Sequence, residues 1–205
     1  MVKSSFATVA LSLSLVVSGP ALGDFSGAFA PGTWTTAFVG DVAPPGPTNN
    51  GTVNTAGAPN SITIIGGNDP TNPDGLFNSC VGGGLFGCEI QWLHAAAMGR
   101  LISFNWAYST VDSCGAQCDL FGVLLNGSEQ IVSDPGGLTV QSGVFRASPS
   151  TTFGFFVSCG QDCAAGAATV VISQFQVPEP ASLALLGIGL AGLALRRRGG
   201  SPVTV

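Results

Sequence analysis

The stretch LISFNWAY, residues 101–108, carries the clearest structural signal in the 205-residue chain. Ile102, Phe104, Trp106 and Tyr108 are large and apolar or aromatic, whereas most of the residues between them are small or polar. Successive side chains of a β-strand point to opposite faces, so this alternation predicts a strand with one buried aromatic face.

Alternation of the same kind recurs along the chain and predicts an all-β protein. Asn126-Gly127 lies between two apolar segments and is typical of a tight hairpin turn of the primed type. Residues 40–59 and 66–75 are rich in turn-forming residues and are predicted as loops. Strands at this spacing indicate a β-sandwich, jelly-roll-like, over residues 24–176. Further strands are predicted at 33–39, 61–65, 90–94, 121–125, 130–133, 138–145, 153–157 and 168–175.

The first 23 residues have the three parts of a secretory signal peptide. Lys3 supplies the positive charge, and residues 6–17 form an apolar segment. Ala21 and Gly23 place small residues at the −3 and −1 positions of a cleavage site before Asp24. The sequence therefore predicts export, with residues 1–23 removed; an uncut membrane anchor is the alternative reading.

The tail, residues 177–205, contains the longest uncharged apolar segment outside the signal peptide and half of the basic residues. As a helix, residues 181–195 would span about 22 Å, shorter than the roughly 30 Å hydrocarbon core. Arg196, Arg197 and Arg198 follow this segment and are expected to stay in the cytoplasm. The tail is therefore predicted to be a short transmembrane helix that holds an exported precursor in the membrane.

Pro178-Glu179-Pro180, the apolar segment and the arginine cluster resemble, in this order, the PEP-CTERM sorting signal of Gram-negative bacteria. The resemblance implies an exosortase as processing partner and transient contact with the inner membrane. It also implies release to the cell surface or the medium, typically in producers of exopolysaccharide or biofilm. A plain membrane anchor preceded by a chance Pro-Glu-Pro is the alternative. Because such a tail is a sorting signal, it leaves the activity of the exported domain open.

The exported domain also resembles a recurrent bacterial domain that often carries this tail and has no activity we can transfer. The resemblance rests on the sequence segments GTVNTAGAPNSITIIG, SFNWAYSTVDS, DLFGVLLNG and TFGFFVS. It implies one sandwich that continues to Phe175.

The charge of residues 24–176 narrows the choice of partners. This part of the chain has two basic residues, Arg100 and Arg146, and ten acidic residues, which gives a net charge of −8. A nucleic acid or an anionic lipid surface would be repelled by such a domain. Neutral polysaccharide and divalent cations remain compatible with it.

The even number of cysteines in an exported chain predicts three disulfides. Similar spacing of three residues within two pairs favours local closure of two turns, Cys114 with Cys118 and Cys159 with Cys163, and Cys80 with Cys88 would form the third bond. Cross-pairing of the two similar turns is the main alternative. A zinc site is disfavoured because the spacing is C-x-x-x-C and one histidine is present.

Aspartates flank these cysteine turns and give the one metal hypothesis. Asp112 and Asp119 lie on either side of the Cys114–Cys118 turn, and Asp162 lies in the similar turn. Carboxylates on neighbouring loops suit calcium, so these three residues are the predicted ligands. Solvated turn aspartates are the alternative, and no other cofactor is predicted.

Candidates for catalysis are few. His94 has apolar neighbours that favour a partly buried structural role, and Glu89 with Glu129 would be the carboxylate pair of a glycosidase. We therefore predict a non-enzymatic surface or matrix protein associated with exopolysaccharide. A small secreted hydrolase acting on polysaccharide is the alternative. Exposed aromatic rows would favour carbohydrate binding, and a cleft with paired carboxylates would favour hydrolysis.

Overall fold

The computed structural model describes residues 24–39, 51–67, 89–95, 99–112, 114–159, 167–177 and 189. Within this part of the chain, no helix is long and apolar enough to span a membrane. The predicted signal peptide lies outside the described residues, and so does the predicted tail helix apart from Gly189.

In the described residues, ten strands form two antiparallel five-stranded sheets that share one hydrophobic core. The first sheet has the order β1-β4-β9-β6-β7 and the second β2-β3-β10-β5-β8. This arrangement confirms the all-β class. The strands are β1 Thr35–Val39, β2 Thr52–Asn54, β3 Ser61–Ile65, β4 Glu89–His94, β5 Ile102–Ser109, β6 Asp119–Leu125, β7 Ser128–Ile131, β8 Val140–Ala147, β9 Phe153–Cys159 and β10 Thr169–Gln176.

Strand β5 has the predicted alternation, with its even-numbered residues buried against the first sheet. It pairs with β10 on one side and with the edge strand β8 on the other. The turn after β6 also follows the prediction, because Asn126 and Gly127 have φ values of 56° and 82°. The side-chain oxygen of Asn126 accepts hydrogen bonds from the backbone N–H groups of Ser150 and Thr151, at 2.8 and 2.9 Å.

Two predictions about strands are wrong. Strand β2 lies inside the stretch 40–59 that was predicted as a loop, because a short polar segment pairs with β3. Strand β7 begins at Ser128, two residues earlier than predicted, and all four of its residues are exposed. Strand β7 has no buried face, and β2 has three residues of which only Val53 packs against the core, so neither strand produces an extended alternating pattern.

One end of the sandwich is closed by aromatic side chains, and we call it the aromatic end. The rings of Trp34 and Trp92 stack with centroids 4.1 Å apart, and those of Phe25 and Phe175 stack at 4.8 Å. The Trp34 indole N–H donates to the Phe29 carbonyl at 3.0 Å. The members of this cluster are Phe25, Phe29, Trp34, Trp92, His94, Phe153, Phe155 and Phe175.

The opposite end, which we call the polar end, is closed by hydrogen bonds. It comprises Tyr108, Thr110, Asp112, Asp119 and the Cys114–Cys118 turn. The two ends are separated by the length of the strands, since β4 runs from Glu89, next to Ser158, to His94, next to Phe153. The chain therefore uses different chemistry to seal the two openings of one core.

Candidate functional site

The sorting tail begins where the core ends. Strand β10 stops at Gln176, and Val177 is still buried in the core. The next residues in the sequence are Pro178, Glu179 and Pro180; like Arg196, Arg197 and Arg198, they lie outside the described residues. Among the described residues, Val177 is thus the last one buried in the core, and it directly precedes Pro178.

Phe25, close to the predicted signal-peptide junction, contacts Phe175, close to the start of the tail. Phe25 follows Asp24, the predicted first residue of the exported protein, and its ring stacks on that of Phe175. The Phe25 N–H also donates to the Pro59 carbonyl at 3.1 Å. Both predicted processing junctions therefore adjoin the aromatic end.

His94 is a buried part of the same aromatic cluster. Its Nε2 lies 2.9 Å from the Ala28 carbonyl, and its ring contacts those of Phe29 and Trp34 at 4.8 and 5.0 Å between centroids. This enclosure fits the structural role favoured by the sequence. The Nδ1 atom of His94 is buried and has no hydrogen-bond partner among the described residues.

At the polar end, one threonine joins the two described aspartates of the calcium hypothesis. The Thr110 hydroxyl donates to a carboxylate oxygen of Asp119 and accepts a hydrogen bond from the Asp112 backbone N–H at 3.1 Å. The hydroxyl of Tyr108 donates to the Asp119 backbone carbonyl at 2.7 Å. Both aspartates are buried. Burial, with a smaller contribution from the charge of Asp119, raises the pKa of Tyr108 above its usual value.

The calcium site remains a prediction. Asp112 and Asp119 share the polar end, but Asp162 lies outside the described residues. In the ranges that the structure describes, no group of three or more histidine, cysteine, aspartate or glutamate side chains is arranged to hold a metal ion.

The Cys114–Cys118 disulfide closes a short turn beside these aspartates. Their Cα atoms lie 5.8 Å apart, across the 3-10 turn Gly115–Gln117. This is the local pairing expected for these two cysteines. Cys159 is also disulfide-bonded. Cys80, Cys88 and Cys163 lie outside the described residues.

Glu89 is the buried carboxyl on the outer face of the first sheet. It is 2% exposed and accepts a hydrogen bond from the Gln91 amide. Burial raises the pKa of Glu89 to about 7; the Gln91 hydrogen bond opposes this shift and the charge of Glu129 adds to it. Glu129 is exposed on β7. A proton-holding glutamate near a second glutamate is the arrangement a glycosidase needs, but the burial of Glu89 closes it to a substrate.

A groove that the sequence did not indicate runs between the edges of the two sheets. It has a volume of about 470 Å³ and lies between strand β8 of the second sheet and the segment that follows β7 of the first. Trp106 of β5 forms its floor. The other residues that line it include Val132, Asp134, Leu138, Val140 and Gln141.

The described aromatic residues do not form an exposed row, which would have favoured carbohydrate binding. Among the described residues, the aromatic rings lie mainly in the core, and Phe38 is the large exposed ring. Trp106 is 9% exposed and lines the groove. The groove is a place where an aromatic side chain, apolar side chains and polar groups of the described residues meet at the surface.

Comparison with known proteins assigns the tail. Residues 176–198 match the family model of the PEP-CTERM protein-sorting motif. The chain therefore carries a C-terminal sorting signal, which indicates export and sorting at the membrane. More particularly, the signal is the PEP-CTERM motif, the kind that marks exosortase substrates. No curated protein matches the chain.

Several solved structures resemble the sandwich. A family 28 carbohydrate-binding module specific for non-crystalline cellulose is 9% identical; 72% of this chain and 89% of that chain are covered, with a TM-score of 0.36. A family 4 carbohydrate-binding module is 14% identical, covering 78% and 94%, with a TM-score of 0.34. The active domain of tailspike protein 4 of bacteriophage CBA120 is 14% identical, with a TM-score of 0.34, and the match spans 77% of this chain and 20% of the tailspike chain. At these identities and TM-scores, the likeness carries no argument about the site residues or ligand of this chain.

Proposed function

We propose that the protein is a non-enzymatic surface or matrix protein whose tail is removed by an exosortase and whose sandwich associates with neutral exopolysaccharide. The observation that carries the proposal is the position of Val177. It is the last buried residue of the described core and directly precedes Pro178. Cleavage within the motif would therefore release a domain that keeps every described strand.

The other junction supports the same proposal. Phe25 packs in the core directly after the predicted signal-peptide cleavage site. Removal of residues 1–23 would leave Phe25 and all ten strands in the exported protein. The sandwich is then the functional unit, and the two terminal segments serve its delivery.

The association with polysaccharide is supported by charge. The domain has two basic and ten acidic side chains, which disfavours anionic partners such as nucleic acid and acidic polymers. A neutral polysaccharide carries no charge to be repelled. Its hydroxyl groups pair with the carboxylate and amide oxygens that such a surface offers.

Mass spectrometry of the protein isolated from its own host tests the delivery part. We expect the mature protein to begin at Asp24 and to lack Leu195. Glu179→Ala, or deletion of the host exosortase, should leave a longer form in the inner membrane. Mature protein that still contains Leu195 in an exosortase-positive host would overturn the processing proposal in favour of a plain anchor.

The hydrolase alternative rests on the raised pKa of Glu89 and the nearby charge of Glu129. It is tested by incubating the wild-type protein and a Glu89→Gln variant with the host's exopolysaccharide and measuring the release of reducing ends. We expect no release from either protein. Release by the wild type that Glu89→Gln abolishes would replace the non-enzymatic proposal.

A further inference from the structure

We propose that the groove over Trp106 binds a short stretch of a neutral polysaccharide chain. The proposal rests on the proposed association with polysaccharide and names the site that carries it. Four features of the groove support it: the floor, the braced rim, the exposed apolar wall and the charge.

The indole of Trp106, which forms the floor, packs closely against Gly143. Gly143 of β8 lies opposite Trp106 of β5, and a Cβ at Gly143 would come within 3.0 Å of the indole Nε1 and Cζ2 atoms. Any larger residue there would displace the ring. The indole N–H makes no hydrogen bond within the part of the chain that the structure describes, so it is available to a ligand hydroxyl.

The rim is held in place before any ligand arrives. The Gln141 side chain accepts a hydrogen bond from the Asp134 N–H at 2.8 Å and donates to the Asp134 and Leu138 carbonyls, both at 3.0 Å. The Gly136 N–H donates to Oδ1 of Asp134 at 3.0 Å. This leaves Oδ2 of Asp134 as an acceptor with no partner among the described residues. A braced rim loses little conformational entropy on binding.

The wall is unusually apolar for an exposed edge. Leu138 is 78% exposed and Val140 is 67% exposed, and both line the groove. The C–H face of a sugar ring covers apolar side chains, while its hydroxyl groups reach polar atoms at the border. The combination of an apolar wall, an indole N–H and a fixed carboxylate matches that two-sided chemistry.

Charge and size narrow the ligand further. The lining residues include one carboxylate, that of Asp134, and no basic side chain. A polymer of acidic sugars would be repelled, so a neutral chain is favoured. The volume of about 470 Å³ lies towards the lower end of the range for ligand sites, which suits a few sugar units rather than a long segment.

The experiment uses the mature protein from its host and two exposed-residue variants of β8. Val140→Ser alters the groove, whereas Val144→Ser alters a valine that is 62% exposed on the same strand and does not line the groove. A third variant, Leu138→Ser, changes the other wall residue. Circular dichroism checks that all three variants fold as the wild type does.

Binding is measured by affinity electrophoresis in gels containing the host's exopolysaccharide, hydroxyethyl cellulose, xylan, galactomannan or alginate. We expect at least one neutral polymer to retard the wild type. Val140→Ser and Leu138→Ser should each weaken that binding at least fivefold, and Val144→Ser should leave it unchanged. Tryptophan fluorescence should change on binding and should lose this change in Trp106→Phe.

The outcomes separate the two proposals. Retardation of the wild type that is equal in all three serine variants would overturn the groove and leave the association with polysaccharide standing. Stronger retardation by alginate than by every neutral polymer would overturn the neutral-ligand assignment. Failure of every polymer, including the host's own, to retard the wild type would overturn the association and the groove together.

Discussion

The two ends of the sandwich close one core by different means. At the aromatic end, stacked rings such as Trp34 and Trp92 exclude water by apolar contact. At the polar end, Tyr108, Thr110 and Asp119 form a buried hydrogen-bond network beside the Cys114–Cys118 disulfide. Apolar contact stabilises in proportion to the area buried, whereas buried polar groups must be individually satisfied.

The two ends therefore differ in how well they tolerate a change in the residues around them. The aromatic end receives both predicted processing junctions and must remain closed when either terminal segment is removed. Apolar packing is non-directional and does so without a fixed set of partners. The polar end depends on particular donors and acceptors, so single atoms matter there.

The largest expected effect is at the aromatic end. Trp34→Ala should lower the free energy of unfolding by about 3 to 5 kcal/mol, because it leaves a cavity among stacked rings. Phe38→Ala, on the adjacent strand at 48% exposure, is the matched control and should cost less than about 1 kcal/mol. Urea denaturation measures both. Equal losses in the two variants would contradict the assignment of Trp34 to the core seal.

At the polar end, replacing Cys114 and Cys118 together by serine should cost about 2 kcal/mol. The closed loop is short, so its removal releases only a modest amount of chain entropy in the unfolded state. Gln117→Ser changes an exposed residue of the same turn and leaves the bond intact. A loss as large in Gln117→Ser as in the double variant would show that the turn, and not the bond, stabilises this end.

Glu89 makes the stability of the protein depend on pH. The folded protein holds the Glu89 proton up to a pKa of about 7, against an ordinary value of 4.5, so more protons are bound in the folded state between these values. Stability should therefore fall as the pH rises from about 4.5 to 7. After allowance for screening by solvent, the fall is about 1 to 2 kcal/mol.

Glu89→Gln should remove this fall and be more stable than the wild type at pH 8. Glu129→Gln removes only the smallest contribution to the raised pKa of Glu89, so it should make the fall slightly shallower. Denaturation curves from pH 5 to pH 8 measure it. A Glu89→Gln profile as steep as that of the wild type would assign the pH dependence to other groups.

The smallest effect belongs to calcium. A site with a dissociation constant of about 1 mM, as in extracellular modules, would add about 1.4 kcal/mol at 10 mM Ca²⁺. We expect thermal unfolding to shift upward with Ca²⁺ relative to EDTA, and the shift to vanish in Asp112→Asn but persist in Asp134→Asn. Superimposed curves in Ca²⁺ and EDTA would leave the polar end closed by protein groups alone.

The sequence predicts those parts of the fold in which each residue's position follows from its neighbours. The pattern of Ile102 to Tyr108 predicts β5 because strand geometry fixes alternate faces. Asn126-Gly127 predicts its hairpin because few other residue pairs adopt positive φ twice in succession. The position of β7 was predicted wrongly because its exposed residues carry no periodic signal. Strand β2 was missed because three residues with one partly buried side chain, Val53, are too short a pattern.

The groove could not have been predicted in the same way. Trp106 and Gly143 come from paired strands of the second sheet, whereas Val132 and Asp134 follow a strand of the first. Nothing in the local sequence of either segment says that these edges meet. The tail motif was predictable because its three parts are consecutive in the chain.

The contact between Phe25 and Phe175 has a consequence for how the gene could be rearranged. Residues close to both ends of the sandwich touch, with rings 4.8 Å apart, so a linker of a few residues could join Val177 to Asp24. The chain could then be opened at the exposed Asn126-Gly127 turn without cutting any strand. Such a rearranged chain would begin with β7 and end with β6, and it would keep every described strand and strand pairing of the sandwich.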